Sequence, residues 1–121
     1  MKVLIADDSR LMRDRIRGLL KSIQNIEIIY ETDSGLQALD AMTRMNPGIA
    51  IIDIRMHDMN GLNVIREYRK KKSNTVIVVL TNFANDHYRV NALEYGADYF
   101  LSKSEDFEQL SSIVSEQLIL R

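Results

Sequence analysis

The stretch KVLIADDSR (2–10) sets an apolar run directly against two adjacent carboxylates, Asp7 and Asp8. The length and branched side chains of the run are typical of a buried strand. Neighbouring carboxylates repel each other, and burial without a cation is costly for both. The pair therefore raises the question of what it binds where the first strand ends.

Similar apolar runs recur along the chain and alternate with segments of helical period. Five are predicted to be strands: VLIA (3–6), IEIIYE (26–31), IAII (49–52), VIVVL (76–80) and DYFL (98–101). Three of them are apolar without alternation, which is typical of strands buried on both faces of a parallel sheet.

The segments between and after these runs place apolar residues at helical spacing. The positions predicted to face the core are Met12, Ile16, Leu19, Leu20 and Ile23, then Leu39, Met42 and Met45, then Leu62, Ile65 and Tyr68, then Val90 and Leu93, and finally Phe107, Leu110, Val114 and Leu118. Ser34 with Gln37 forms a capping box, and Ser104 is the expected N-cap of the last helix. The alternation predicts one α/β domain over residues 1–121, with a flavodoxin-like, doubly wound five-stranded parallel sheet in the order 2-1-3-4-5 and five helices.

The composition narrows the class of protein. The chain has no cysteine, which excludes disulfides and thiolate chemistry, and its net charge of −1 does not indicate a nucleic-acid or membrane surface. Its apolar runs are far shorter than the roughly 20 residues that span a bilayer. Because Met1 leads directly into a strand, we expect no signal peptide and a cytoplasmic protein.

Polar groups follow the strands at one edge of the predicted sheet, where open parallel sheets bind their ligands. Strand one ends in Asp7 and Asp8, strand three in Asp53, strand four in Thr81, and strand five runs to Lys103. Three carboxylates and one ammonium leave a charge of about −2, which one Mg²⁺ would neutralise with the oxygen ligands that it prefers. Asp33 follows the edge strand and is expected only to start a helix.

The same groups suit phosphoryl transfer, in which a protein mainly positions and neutralises charge. Asp53 can act as a nucleophile and form an acyl phosphate. Lys103 can pair with one phosphoryl oxygen, and the Thr81 hydroxyl can donate to another.

Four motifs carry a family resemblance: ADDS (6–9), DIRMHDMNG (53–61), VIVVLT (76–81) and GADYFLSK (96–103). In this order, over essentially the whole chain, they resemble the receiver domain of a two-component response regulator. The resemblance implies that Asp53 accepts a phosphoryl group from a histidine kinase, a phosphotransfer protein or a small phosphodonor. Apart from its own phosphorylation and dephosphorylation, such a domain is a switch rather than an enzyme.

The resemblance also implies a ligand set for Mg²⁺. Asp8, Asp53 and the backbone carbonyl of Arg55 would bind the ion, and Asp7 would act largely through water. On phosphorylation Thr81 would move toward the phosphoryl group while Phe100 turns inward. These shifts would remodel the face formed by helix four, strand five and helix five.

Two positions tune dephosphorylation in the family, and Arg55 and Phe83 occupy them here. Neither is a carboxylate or amide suited to orienting water, so we expect slow self-dephosphorylation.

Ser104 stands where the family has proline, and a cis bond between Lys103 and Ser104 would cost about 2.5–4 kcal/mol. A trans bond that displaces Lys103 would favour an alternative function, a phosphorylation-independent interaction module. A haloacid-type phosphatase or a flavodoxin fits the first loop less well.

The partner surface is less defined. Ile113 and Leu120 form a ridge on helix five, and Tyr88 with Tyr95 align beside the core stripe of helix four; exposed together, they would indicate a partner surface. The domain either acts alone, through contacts with a downstream protein, or is part of a longer regulator in which helix five continues past Arg121 toward a C-terminal output domain. A phosphorylation-dependent homodimer stays open, and we expect no direct binding to nucleic acid or membranes.

Overall fold

Strands and helices alternate strictly along residues 1–120, the part of the chain that the computed structural model describes. The elements are β1 Lys2–Ala6, α1 Arg10–Lys21, β2 Glu27–Thr32, α2 Gly35–Met45, β3 Ile49–Ile52, α3 Gly61–Tyr68, β4 Val76–Thr81, α4 Asp86–Tyr95, β5 Tyr99–Ser102 and α5 Gln109–Leu120. All neighbouring strands pair in parallel, in the order β2-β1-β3-β4-β5. The predicted architecture and strand order are confirmed.

Helices cover both faces of the sheet, as the continuous apolar runs of β1, β3 and β4 require. Buried side chains of α2, α3 and α4 pack with one face, and those of α1 and α5 pack with the other. Met12, Ile16 and Leu20 are buried on α1, as their spacing predicts. A hydrophobic core therefore lies on each face of the sheet, and the carboxyl ends of all five strands lie along the same edge.

The buried face of α4 differs from the prediction. Val90 is 55% exposed and Leu93 47% exposed, whereas Ala92 is fully buried. Tyr88 and Tyr95 are partly buried and pack against the core. The small Ala92 side chain lets α4 lie close to its neighbours, and the two tyrosine rings fill the space beside it. The predicted core stripe of this helix is wrong, and the tyrosines do not form a freely exposed pair.

The last helix also differs from its prediction. It begins at Gln109 rather than after Ser104. The Ser102 N–H donates to the Asp106 carboxylate at 2.9 Å, and the Ser102 and Ser104 hydroxyls lie 3.0 Å apart, so local side-chain bonds form a turn here instead of a helix. Ile113 is buried in the core.

Only Leu120 of the predicted helix-five ridge is therefore exposed, at 69%. Arg121, past which helix five continues if the domain is part of a longer regulator, lies outside the described residues. Within residues 1–120, no helix combines the length and the apolar character needed to cross a bilayer.

Arg69, directly after α3, contacts several elements at the amino ends of β4 and β5, opposite the carboxyl ends. The Arg69 guanidinium donates to Gly96 O at 3.0 Å, to Thr75 O at 2.7 Å and to the Asp98 carboxylate at 3.0 Å. Gly96 has a φ of +117°, and a Cβ there would lie 2.6 Å from the Arg69 Cγ atom. The C-terminal end of α4 is thus held against the segments that lead into β4 and β5.

Candidate functional site

Three carboxylates converge beyond the ends of β1 and β3. Asp7 and Asp53 are 2% and 4% exposed, and Asp8 is exposed. Each offers one carboxylate oxygen, and these oxygens lie within 4.8 Å of one another. Strand pairing explains the convergence, because Ala6 and Ile52 are partners in neighbouring parallel strands and each is followed directly by aspartate.

Lys103 reaches the same cluster from the end of β5. Its Nζ atom lies 2.8 Å from Asp7 Oδ2 and 3.1 Å from Asp53 Oδ2, and the side chain is buried. Residues 1–120 contain no cis peptide bond, so the Lys103–Ser104 bond is trans. The expected displacement of Lys103 is therefore wrong: the side chain reaches the aspartates although serine replaces proline after it.

The negative charge of the Asp53 carboxylate is only partly balanced by the positive charge of Lys103. Burial raises the pKa of Asp53 to about 6, the charge of Asp7 adds to the rise, and Lys103 opposes it. Burial alone would lower the pKa of Lys103, but the hydrogen bond to Asp7 and the two carboxylate charges outweigh it and raise that pKa. One ammonium thus holds two buried carboxylates without fully stabilising the charge of Asp53.

The donor set fits a hard divalent cation. Asp7 Oδ1 accepts from Ser9 N at 2.9 Å and Asp53 Oδ1 from Ile54 N at 2.8 Å, which fixes both carboxylates in place. The exposed Asp8 leaves one side of the cluster open to water. Mg²⁺ takes only a few carboxylate ligands and keeps several waters, so the arrangement suits it.

The loop after Asp53 passes so close to α3 that glycine is required. Gly61 N donates to Ile54 O at 2.6 Å, and a Cβ on Gly61 would lie 2.0 Å from the carbonyl oxygen of Asp53. Any larger residue would push the loop away from the helix. The Asn-Gly pair of the DIRMHDMNG motif therefore sets the backbone that carries Asp53.

Thr81 and the two predicted tuning positions form a connected group. Thr81 is fully buried at the end of β4, and its hydroxyl accepts from Phe83 N at 3.0 Å. The Arg55 guanidinium stacks 3.9 Å from the centre of the Phe83 ring. Sequence reasoning treated Arg55 and Phe83 separately and missed this stack, which joins the loops after β3 and β4.

Phe100 is already turned inward in this structure. It is 5% exposed and packs in the core beneath α2, α3 and α4. The guanidinium of Arg89, on α4, lies 4.8 Å from the ring centre and donates to Phe100 O at 3.3 Å. No pattern in the sequence indicates this role for Arg89, because its two contacts depend on how α4 lies across β5.

A second carboxylate in the same loop has a structural partner that the sequence did not indicate. Asp58 accepts from the Ser34 hydroxyl, from Gly35 N at 2.8 Å and from Met59 N at 2.8 Å. The Ser34 bond contributes most, and with the two backbone bonds it lowers the pKa of Asp58 to about 2 against the effect of burial. Ser34 is the N-cap of α2, as predicted, and Asp33 precedes it in a bend.

Comparisons with known proteins agree with this geometry. The family model described as the response regulator receiver domain matches residues 3–115. The transcriptional regulatory protein YdfI of Bacillus subtilis is 33% identical over 109 residues, which are 90% of this chain and 51% of that protein. A protein-glutamate methylesterase/protein-glutamine glutaminase of Treponema denticola is 32% identical over 121 residues, or 98% of this chain and 32% of that protein.

A solved structure shows the same likeness. The crystal structure of a LuxR-family DNA-binding response regulator from Staphylococcus aureus is 31% identical, with a TM-score of 0.87 over 96% of this chain and 97% of that one. The chain spans about half the length of the first curated relatives that it matches. It belongs to the response regulator receiver domains of two-component signalling.

Proposed function

We propose that this domain is a phosphorylation-controlled signalling switch that accepts a phosphoryl group on Asp53. One observation carries the proposal: the buried Asp53 carboxylate lies within reach of Lys103 and beside the carboxylates of Asp7 and Asp8. A structural carboxylate has no need of two acidic neighbours, whereas a phosphoryl acceptor with a divalent ion does.

The residues of this chain divide the reaction among them. An Asp53 oxygen attacks phosphorus and forms the acyl phosphate while the bond from phosphorus to the donor's histidine nitrogen, or to a small donor's oxygen, breaks and its electrons leave with the donor. Lys103 pairs with a phosphoryl oxygen. Asp8, Asp53 and the Arg55 carbonyl would bind Mg²⁺, with Asp7 acting through water. The ion would supply positive charge for the phosphoryl oxygens.

Switching follows from the groups around the site. The Thr81 hydroxyl accepts from Phe83 N and keeps its own proton to donate to a phosphoryl oxygen. We propose that its movement is coupled to Phe100 and changes the face formed by α4, β5 and α5. Val90 and Leu93 are exposed apolar side chains on α4, and Leu120 is one on α5. They replace the predicted set of Tyr88, Tyr95 and Ile113 as candidates for contact with a partner.

The partners are proposed from the family and the relatives. A histidine kinase or phosphotransfer protein would supply the phosphoryl group. A downstream protein or an output domain in the same polypeptide would receive the signal, because the matched relatives include transcriptional regulatory proteins and a methylesterase that are longer than this chain. A homodimer formed on phosphorylation and a cytoplasmic location stay predictions. The alternative function, a phosphorylation-independent interaction module, was favoured only if Lys103 were displaced from the site. Lys103 reaches Asp53, so that reason no longer supports it.

Phosphorylation by a small donor tests the proposal directly. The full chain is incubated with Mg²⁺ and acetyl phosphate and its intact mass is measured. We expect the mass to rise by one phosphoryl group in the wild type, and not in Asp53→Asn or after chelation of Mg²⁺. Asp58→Asn is the matched control, since Asp58 is an exposed carboxylate of the same loop, and it should gain the group normally. A wild type that gains no mass, or an Asp53→Asn variant that gains the same mass, would contradict the proposal.

A further inference from the structure

We propose that Arg89 is a positioning residue that holds the Phe100 ring inward before Asp53 is modified. This latch, the pair of contacts from the Arg89 guanidinium to Phe100, would bias the resting domain toward one of two ring orientations. The first part of the proposal concerns the resting protein alone. The second part, that the latch sets how readily the domain responds to a phosphoryl group, rests on the proposed function.

Two contacts from one side chain carry the inference. The Arg89 guanidinium lies 4.8 Å from the Phe100 ring centre and donates to the Phe100 carbonyl at 3.3 Å. Within the described part of the chain both of its contacts are to Phe100, and Arg89 has no carboxylate partner. A guanidinium can stack on an aromatic face and still donate from its edge, which an ammonium cannot do as well.

The latch joins α4, which carries Arg89, to β5, which carries Phe100, and the proposed switch requires both elements to change together. Arg89 is exposed on α4, directly before the exposed Val90, while Phe100 is buried in β5. We expect the ring to lose this contact when it turns outward, and a movement of α4 away from β5 to break it as well. The stack is made with the ring inward, so in this proposal it stabilises that orientation and shifts the equilibrium between the two.

The chain offers a matched control in a second stack. The Arg66 guanidinium, on α3, lies 5.3 Å from the ring centre of Tyr95, at the C-terminal end of α4. Its loss removes the same kind of contact between α4 and a neighbour without touching Phe100. Arg66→Met and Arg89→Met therefore separate a general loosening of α4 from a specific release of the ring.

Fluorine NMR measures the ring directly, because the chain has three phenylalanines, Phe83, Phe100 and Phe107. The full chain is labelled with fluorophenylalanine, and Leu substitutions at Phe83 and Phe107 assign the remaining signal. In Arg89→Met we expect the ratio of inward to outward Phe100 to fall about threefold, as the loss of one exposed cation–π contact implies. Arg89→Lys should restore part of the ratio, and Arg66→Met should leave it unchanged.

Coupling to the site is measured with Mg²⁺ and beryllium fluoride, a mimic of the phosphoryl group. If the inward ring favours the occupied site, linkage requires the apparent affinity of Arg89→Met for beryllium fluoride to weaken in proportion to the fall in the inward population, by at most about threefold. Urea unfolding confirms that each variant is folded. If Arg89→Met does not fold, the Phe100 signal and the beryllium fluoride affinity are compared between Arg89→Lys and Arg66→Lys instead.

Each outcome decides the proposal. An unchanged Phe100 signal in Arg89→Met would overturn the latch, and so would an equal change in Arg66→Met. A changed ring with unchanged affinity for beryllium fluoride would overturn the coupling alone. If the wild type does not bind beryllium fluoride, the proposed function fails, but the signals of the resting protein still decide the role of Arg89.

Discussion

Asp53 and Asp58 lie in one loop, yet their surroundings shift their pKa values in opposite directions. The pKa of Asp53 rises to about 6, and that of Asp58 falls to about 2. Asp58 is exposed and receives hydrogen bonds at the start of α2, whereas Asp53 is buried beside acidic neighbours. A carboxylate can thus be stabilised by donors within the chain or be left to need a cation from outside.

The difference assigns a structural role to Asp58 and leaves Asp53, five residues earlier, as the carboxylate suited to a functional role. The Asp58 carboxylate stabilises α2 without any added ion, since its charge is matched by N–H and O–H donors and by the helix N-terminus. Asp53 has one ammonium to share with Asp7. Its charge is therefore the one that a divalent ion would stabilise.

Removal of Lys103 should have the largest effect on this comparison. Lys103→Met leaves Asp7 and Asp53 buried without their cation, and we expect the free energy of unfolding at pH 7 without Mg²⁺ to fall by about 3 kcal/mol. Urea titration measures the change. Lys70→Met, which removes an exposed pair with Glu67, is the control and should change stability by less than about 0.5 kcal/mol. Equal losses would show that the buried cluster has no special electrostatic role.

The Arg55–Phe83 stack sharpens the comparison further, since it lies in the loops beside Asp53. Slow loss of the phosphoryl group is expected in the wild type, because neither side chain orients water. Arg55→Asn removes the stack and supplies an amide, so we expect the loss to quicken by roughly tenfold, or about 1.4 kcal/mol in the barrier. Mass spectrometry after donor removal gives the rate. Arg66→Asn is the control, and a rate no faster than wild type in Arg55→Asn would refute the expectation.

Magnesium should stabilise the Asp53 cluster and leave the Asp58 site alone. At a Mg²⁺ concentration three times its Kd, binding to the native state should add about 0.8 kcal/mol to the free energy of unfolding. Thermal melts with and without the ion measure the gain. Asp58→Asn should show the same gain as the wild type and Asp53→Asn a smaller one. A full gain in Asp53→Asn would place the ion elsewhere.

The smallest expected effect concerns the pH dependence at Asp58. Because the pKa is lowered from 3.8 to about 2 on folding, its contribution is present above about pH 4 and is lost as the pH falls toward 2. The stability difference between wild type and Asp58→Asn should therefore shrink over that interval. His57 also bears on Asp58, so the comparison is repeated in a His57→Gln background. A difference that stays constant from pH 6 to the acid limit would contradict the assignment.

The sheet and the convergence of the site could be predicted because both depend on local patterns. A buried parallel strand needs a continuous apolar run, and the residue after the run lies at the binding edge whatever the rest of the chain does. Asp7, Asp53, Thr81 and Lys103 are placed by that rule alone. Even the replacement of proline by Ser104 does not remove Lys103, since the position of β5 already directs the side chain to the aspartates.

The remaining features depend on how helices lie against one another, which the pattern of a single segment does not show. Hydrophobicity favoured Val90 and Leu93 for the core, but packing selected the smaller Ala92. The bond from Asp58 to Ser34 spans 24 positions of sequence, and that from Arg89 to Phe100 depends on the seat of α4 on β5. Such side-chain partners are decided by tertiary geometry.

The contacts of Arg69 give α4 a mechanical property. This side chain pins the C-terminal end of the helix, through Gly96, to the strand starts. Because this end is held, we expect any reorientation of α4 to move its N-terminal end, near Asn85, more than the end at Gly96. The loop that carries Phe83 leads into that N-terminal end and would be displaced with it.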